Sequence, residues 1–186
     1  MFIIGIVIFA FPPLLAVQLL WINLLTDCAP AISLATEKAH DGIMKKKQIA
    51  IRGKIFDFAN IISIVTNGFF LTFIALICFI IGNSRSPETG MTMAFLCVSV
   101  SQILHSFNMK TEDSILKADF KSNKFMNYTS ILVIFVAMFL SLTPAGYVFG
   151  LTVLGAGKFF ITLLLSILII PFSELIKFLL RKFSIE

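Results

Sequence analysis

Long apolar runs constrain this chain before anything else. A helix rises about 1.5 Å per residue, so about 20 apolar residues cross a hydrocarbon core of about 30 Å. Runs of that length extend roughly from Phe58 to Ile81, Met91 to Met109, Phe125 to Thr143 and Phe159 to Leu180, the last carrying Pro171 and Glu174 near its end. A fifth, roughly Leu14 to Ala35, has the length but holds Asn23, Asp27 and Pro30 in its middle, which an ordinary lipid-facing helix avoids. Composition points the same way: 58% of the 186 residues are hydrophobic and 13% charged, with a mean hydropathy of +0.98. That is too apolar for a water-soluble domain of this size. The expected fold is all-α, a polytopic transmembrane helical bundle of five full spans preceded by a truncated half-span.

The half-span is residues 1–11, apolar throughout but only about 16 Å long as a helix. No basic stretch precedes it and no small-residue cleavage pattern comes before Pro12-Pro13, so it does not read as a signal peptide. Residues 1–13 are taken as the end of a truncated helix with its luminal or extracellular turn, and residues 14–186 as the membrane bundle. Cys28, Cys78 and Cys97 all lie in apolar stretches, an odd number with no metal-ligand spacing, and are expected to be buried thiols.

The connectors set the orientation, because cytoplasmic loops of membrane proteins collect Lys and Arg. Lys38, Lys45, Lys46, Lys47, Arg52 and Lys54 follow the fifth run; Lys110, Lys117, Lys121 and Lys124 come two spans later; Lys177, Arg181 and Lys182 close the chain. These are thirteen of the 15 cations, leaving Arg85 and Lys158 for the other side. The C-terminus is therefore expected in the cytoplasm. The basic loops read as topology signals and lipid-headgroup contacts, with the bilayer as partner and no nucleic acid.

Asn23, Thr26 and Asp27 stand at i, i+3 and i+4, so as an α-helix they share one face. Each offers oxygen to a hard cation such as calcium, and a carboxylate within hydrocarbon normally faces the bundle interior and marks an ion path. Pro30 removes a backbone donor, so a local break there would bare carbonyl oxygens as further ligands. The competing role is helix–helix hydrogen bonding, for which Asn and Thr are well suited. Ser99, Ser101, Gln102, His105, Ser106 and Asn108 crowd the cytoplasmic half of another run. There Gln102 is either a neutral ligand or an inter-helix bond, and His105 reads as a structural hydrogen bond rather than a ligand or proton relay. Glu174 and Lys177, at i and i+3, read as an interfacial pair.

Leu20-Trp21-Ile22-Asn23-Leu24-Leu25-Thr26-Asp27 with Pro30-Ala31 resembles the Trp-(Val/Ile)-Asn-Leu-x-Thr-Asp-x-x-Pro-Ala of the sixth transmembrane helix in P-type cation-transporting ATPases, especially calcium pumps of the plasma-membrane-type group. Gly42-Ile43-Met44 is similar to the Asp-x-Met element before that family's basic loop. Ser101 to Lys110 is similar to its eighth helix, and Pro171 to Lys177 to its tenth. The resemblance covers nearly the whole chain, as the end of helix five followed by helices six to ten. It implies that Asn23, Thr26 and Asp27 coordinate the transported ion, with Asp27 the central carboxylate. Gln102 falls where the sarcoplasmic-reticulum type has glutamate and the plasma-membrane type glutamine, implying one Ca2+ per cycle. Sodium pumps share the wording from Pro30 to Ala35 but carry Asp in place of Asn23, which favours calcium.

The sequence holds no Asp-Lys-Thr-Gly phosphorylation motif, no Thr-Gly-Glu loop, no Gly-Asp-Gly hinge and no Pro-Glu-Gly-Leu gate. Positioning of phosphate and Mg2+ for ATP chemistry requires such parts. The expectation is thus the C-terminal membrane portion of a calcium pump in the plasma membrane. ATP and Mg2+ would act in the remaining domains of the pump, namely the cytoplasmic catalytic domains and first helices. The isolated chain is expected to bind calcium weakly or not at all. The alternative is a stand-alone membrane protein without enzymatic activity, serving as channel, regulator or scaffold.

Overall fold

The computed structural model describes residues 2–9, 11–36, 58–109 and 123–182. The basic segments Lys38–Lys54 and Lys110–Lys121, and Gly42–Met44, lie outside them. All regular structure among the described residues is helical: α1 (Phe2–Phe9), α2 (Ala16–Trp21), a π-helical segment (Ile22–Asp27), α3 (Cys28–Ala35), α4 (Phe58–Asn83), α5 (Pro87–Met109), α6 (Lys124–Leu142), a 3-10 turn (Pro144–Phe149), α7 (Ala156–Ile167) and α8 (Ile169–Lys182). Five helical stretches are long and apolar enough to cross a membrane: Ala16–Ser33, Asn60–Asn83, Pro87–Met109, Lys124–Leu142 and Ala156–Lys182. The protein is integral to a membrane, and α1 is a shorter helix ahead of those five.

Capping residues explain where the helices begin and stop. Ser86 accepts from the Thr89 backbone N–H at 3.2 Å, Pro87 fills the first position and Glu88 the first turn. Together these start α5 ahead of its apolar run. The Asn123 side chain accepts from Met126 N at 2.8 Å to start α6, which stops at Thr143 because Pro144 follows. Between α7 and α8 the helix is interrupted at Leu168. Pro171, three residues on, lacks an N–H and crowds the Ile167 carbonyl.

The most buried span of the bundle is one of its two least apolar. α5 is the central helix, with α4, α6, α7, α8 and the π segment packed around it. Its hydropathy is 1.3, against 2.5 for α4 and 2.4 for the α7–α8 stretch. In lipid the most apolar surfaces belong outside, and small or hydroxyl-bearing residues let helices approach inside. Accordingly Met93 through Cys97, Ser99 and Ser101 of α5 are buried, while Phe69 and Phe73 of α4, Ile131 and Phe135 of α6 and Phe178 of α8 face outward.

Two glycines make the α4–α5 hairpin tight. A Cβ added at Gly82 would stand 2.5 Å from Gly90 Cα, and one at Gly90 2.8 Å from the Phe79 carbonyl oxygen. Lys158 donates to the Gly82 carbonyl at 3.3 Å, capping the end of α4. At the same end of the bundle Gly150, with φ of 68°, terminates the 3-10 turn in a conformation that disfavours a side chain. Gln18, fully buried, donates to the Phe149 and Gly150 carbonyls at 3.1 and 3.4 Å and so ties this connector onto α2.

Gly82→Ala is expected to lower stability by about 1–3 kcal/mol through overpacking, read as a fall of several degrees in Tm in detergent. Gly68→Ala, where an added Cβ meets nothing within 4 Å, should leave Tm unchanged or raise it.

Candidate functional site

Asn23, Thr26 and Asp27 all fall in the π segment. An i→i+5 turn is wider than the 3.6-residue α turn, so residues four apart still stack while residues three apart diverge. Asn23 and Asp27 are exposed side chains, whereas Thr26 is turned inward and is 2% exposed. The single shared face expected from α spacing is thus split into a pair and an inward neighbour. The expected break at Pro30 does not occur either; the helix continues through it as α3. The proline ring crowds the carbonyl four residues back, that of Thr26, and the widened turn is how the backbone accommodates it.

Thr26 Oγ1 lies 2.6 Å from the Ile22 carbonyl oxygen and 2.8 Å from Gln102 Oε1 of α5. Three oxygens therefore meet around one hydroxyl proton, which bonds to one acceptor at a time. The surplus lone pairs make this an electron-rich spot. The structure thus brings Thr26 and Gln102 into direct contact. Asp27 joins them as a lining residue of a cavity of about 660 Å³, with Pro30 and Ala31 beside it. Asn23 is not among its lining residues; its carbonyl accepts from the Cys28 thiol at 3.2 Å. Cys28 is exposed, unlike Cys78 and Cys97, because it stands on the outward side of the widened helix.

The far wall comes from α4 and α5. Asn60, Ser63, Asn67 and Gly68 of α4 face Gln102, His105 and Ser106 across the cavity. This α4 face escaped the sequence reading, although Asn60, Ser63 and Asn67 at i, i+3 and i+7 carry a helical period. Asn67 Nδ2 donates to the Ser63 carbonyl at 2.8 Å. Ser173 of α8 donates to Asn67 Oδ1 at 2.7 Å and lies 3.3 Å from His105 Nδ1, the structural hydrogen bond expected of that ring. Of the other polar residues on α5, Ser101 bonds the Ser166 carbonyl at 3.3 Å and Ser106 that of Ile103 at 2.7 Å. Ser99 and the Asn108 side chain are buried without a hydrogen-bond partner among the described residues. Lys177 lies 3.7 Å from Glu174 as expected, and also donates to the Asn108 carbonyl at 2.6 Å, closing the end of α5.

The π segment is held at both ends. On one side Trp21 stacks edge-on against Phe149 at 5.2 Å and lies 6.5 Å from Phe95. On the other, Ser33 Oγ lies 2.9 Å from Thr129 Oγ1, and Asn123 donates to the Ser33 carbonyl at 2.7 Å. Among the described residues no three of His, Cys, Asp and Glu come together. The cavity therefore offers one carboxylate amid neutral oxygens, a set suited to a hard cation that must leave again.

Residues 11–179 match the family described as "Cation transporting ATPase, C-terminus". Calcium-transporting ATPase 1 of Bacillus cereus is 29% identical over 185 residues, covering 89% of this chain and 21% of that protein. A calcium-transporting ATPase of Listeria monocytogenes is 30% identical over 174 residues, covering 92% of this chain and 20% of its own. Calcium-transporting ATPase 1 of Lactococcus lactis is 35% identical over 132 residues, covering 70% of this chain and 15% of that protein. The chain spans about a fifth or less of the length of these relatives. With its bundle of membrane-spanning helices and the match over residues 11–179, this chain belongs to the family of cation-transporting ATPase C-terminal regions.

Proposed function

We propose that this chain works as part of a calcium-transporting P-type ATPase, with Asn23, Thr26, Asp27 and Gln102 as ligands of the transported Ca2+. The contact between Thr26 and Gln102, at 2.8 Å and beside Asp27 in one cavity, carries the reading. Calcium takes six to eight oxygens in flexible geometry, so the ligands of this chain are part of a set that other helices of the pump complete. ATP and Mg2+ act in the cytoplasmic catalytic domains of the same pump. Phosphorylation there shifts the population between two states of differing cation affinity, and a widened turn held at both ends is a suitable place for ligands to reorient.

The related proteins named above as calcium transporters support the choice of ion, as does Asn23 in the position where sodium pumps carry Asp. Lys124, Lys177, Arg181 and Lys182 and the basic loops support a cytoplasmic C-terminus, and the plasma membrane is the proposed location.

Asp27→Asn, in the chain joined to a P-type catalytic portion, is expected to abolish calcium-dependent phosphorylation by ATP. Wild-type calcium dependence in that variant would reject the assignment. Orientation is checked separately in a chain whose three cysteines are replaced by serine. Val148→Cys should react with a membrane-impermeant maleimide on intact cells, and Arg181→Cys only after permeabilisation.

A further inference from the structure

A second cavity, of about 430 Å³, shares no residue with the one beside Asp27. Leu104 and Phe107 of α5 line it together with Asn127, Ser130 and Ile134 of α6 and Ile170 of α8. Ile131, which also lines it, is 66% exposed, so the cavity is a groove that opens toward lipid. Ser130 is 2% exposed, and its hydroxyl has no hydrogen-bond partner among the described residues. A helical serine commonly bonds the carbonyl four residues back, as Ser33, Ser141 and Ser166 do. An unbonded hydroxyl in hydrocarbon is costly, and its place in the groove wall suits an acceptor supplied from outside the bundle. On α6, Lys124, Asn127, Ile131 and Ile134 share one face at helical spacing. On α8, Ile170, Glu174, Lys177 and Arg181 do likewise. Lys177 lies 3.7 Å from Glu174 and donates to the Asn108 carbonyl, so its charge is already engaged. Lys124 and Arg181 are exposed, at the end of the bundle where α6 begins and α8 stops.

We propose that this groove holds one anionic phospholipid of the leaflet at which α6 begins and α8 ends. Its phosphate pairs with Lys124 and Arg181, an ester oxygen accepts from Ser130, and an acyl chain fills the groove past Ile134 and Ile170. Depth supports that order. At about 1.5 Å per residue Lys124 stands about 9 Å nearer the surface than Ser130 and about 15 Å nearer than Ile134. The polar layer of one leaflet is about 5–7 Å thick, so with Lys124 among headgroups Ser130 meets the base of the acyl chains and Ile134 lies in hydrocarbon. The volume falls within the range of about 300–1,000 Å³ usual for small-ligand sites, and the lining is apolar save for Asn127 and Ser130. A helix from another protein would fill the apolar part but supplies no anion at the mouth, whereas a phospholipid carries anion, ester and chain along one line. The proposal stands whatever ion the pump carries and whichever side of the membrane that leaflet faces.

The test uses the chain in phosphatidylcholine nanodiscs doped with phosphatidylglycerol or phosphatidylcholine that carries a photoreactive diazirine on one acyl chain. Adducts mapped by mass spectrometry are expected on the groove residues of α5, α6 and α8. The phosphatidylglycerol probe should label them about tenfold to thirtyfold more than the phosphatidylcholine probe, since each cation near the headgroups favours an anionic lipid severalfold. Unlabelled phosphatidylglycerol should compete the label away. Lys124→Gln combined with Arg181→Gln changes only exposed side chains and should bring the two probes level. Ser130→Ala is expected to lower the phosphatidylglycerol label about threefold to tenfold, the worth of one hydrogen bond. Its Tm in detergent should stay level or rise, because a hydroxyl without a partner has been removed. Equal labelling by the two probes in the parent chain, label spread evenly over outward residues such as Phe73 and Phe135, full labelling of Ser130→Ala, or a cross-linked dimer in place of lipid adducts would each overturn the proposal.

Discussion

A shared hydroxyl proton connects the widened helix to the centre of the bundle. Thr26 sits between the Ile22 carbonyl of its own helix and the Gln102 amide of α5, and that contact places the π segment against the one helix that the others surround. In hydrocarbon no water competes for such groups, so a hydrogen bond from one helix to another helps to join them. In the π turn Thr26 points inward while the adjacent Asp27 is exposed, and both line the cavity.

The same logic orders the whole fold. The hydrophobic effect cannot sort helices that are all surrounded by hydrocarbon, so packing and hydrogen bonds do. α5 is the least apolar of the strongly buried elements and carries the hydroxyls and small residues that let four helices close around it. Glycines 82 and 90 fix its entry, while Lys177 at its far end bonds the Asn108 carbonyl. Two polar residues of the cavity wall, Gln102 and His105, therefore stand on the most deeply buried span of the chain.

Much of this was legible in the sequence, for reasons that can be traced to particular residues. Span lengths follow from the bilayer thickness, so the five long helices are visible as apolar runs. Asp27 stands out in its run because a charge there is costly. The relation of Asn23, Thr26 and Asp27 to one another was not legible, because their spacing was converted to geometry with the α-helical period and the backbone adopts a wider turn. Asn67 and Ser173 were missed for a different reason. They lie on two helices far apart in sequence, and only the approach of α8 to α4 turns them into a connected pair. The early start of α5 was hidden by Glu88, a charge that reads as the end of a span but here complements a helix N-terminus.

Trp21 is the single tryptophan of the chain, and it stands immediately before the widened turn, wedged between Phe95 and Phe149. Its indole Nε1 is buried with no hydrogen-bond partner among the described residues. Any rewinding of the six residues that follow must rotate or displace this ring relative to its two aromatic neighbours. The protein thus carries a built-in fluorophore at the boundary of its π-helical segment, able to signal changes there without an attached dye.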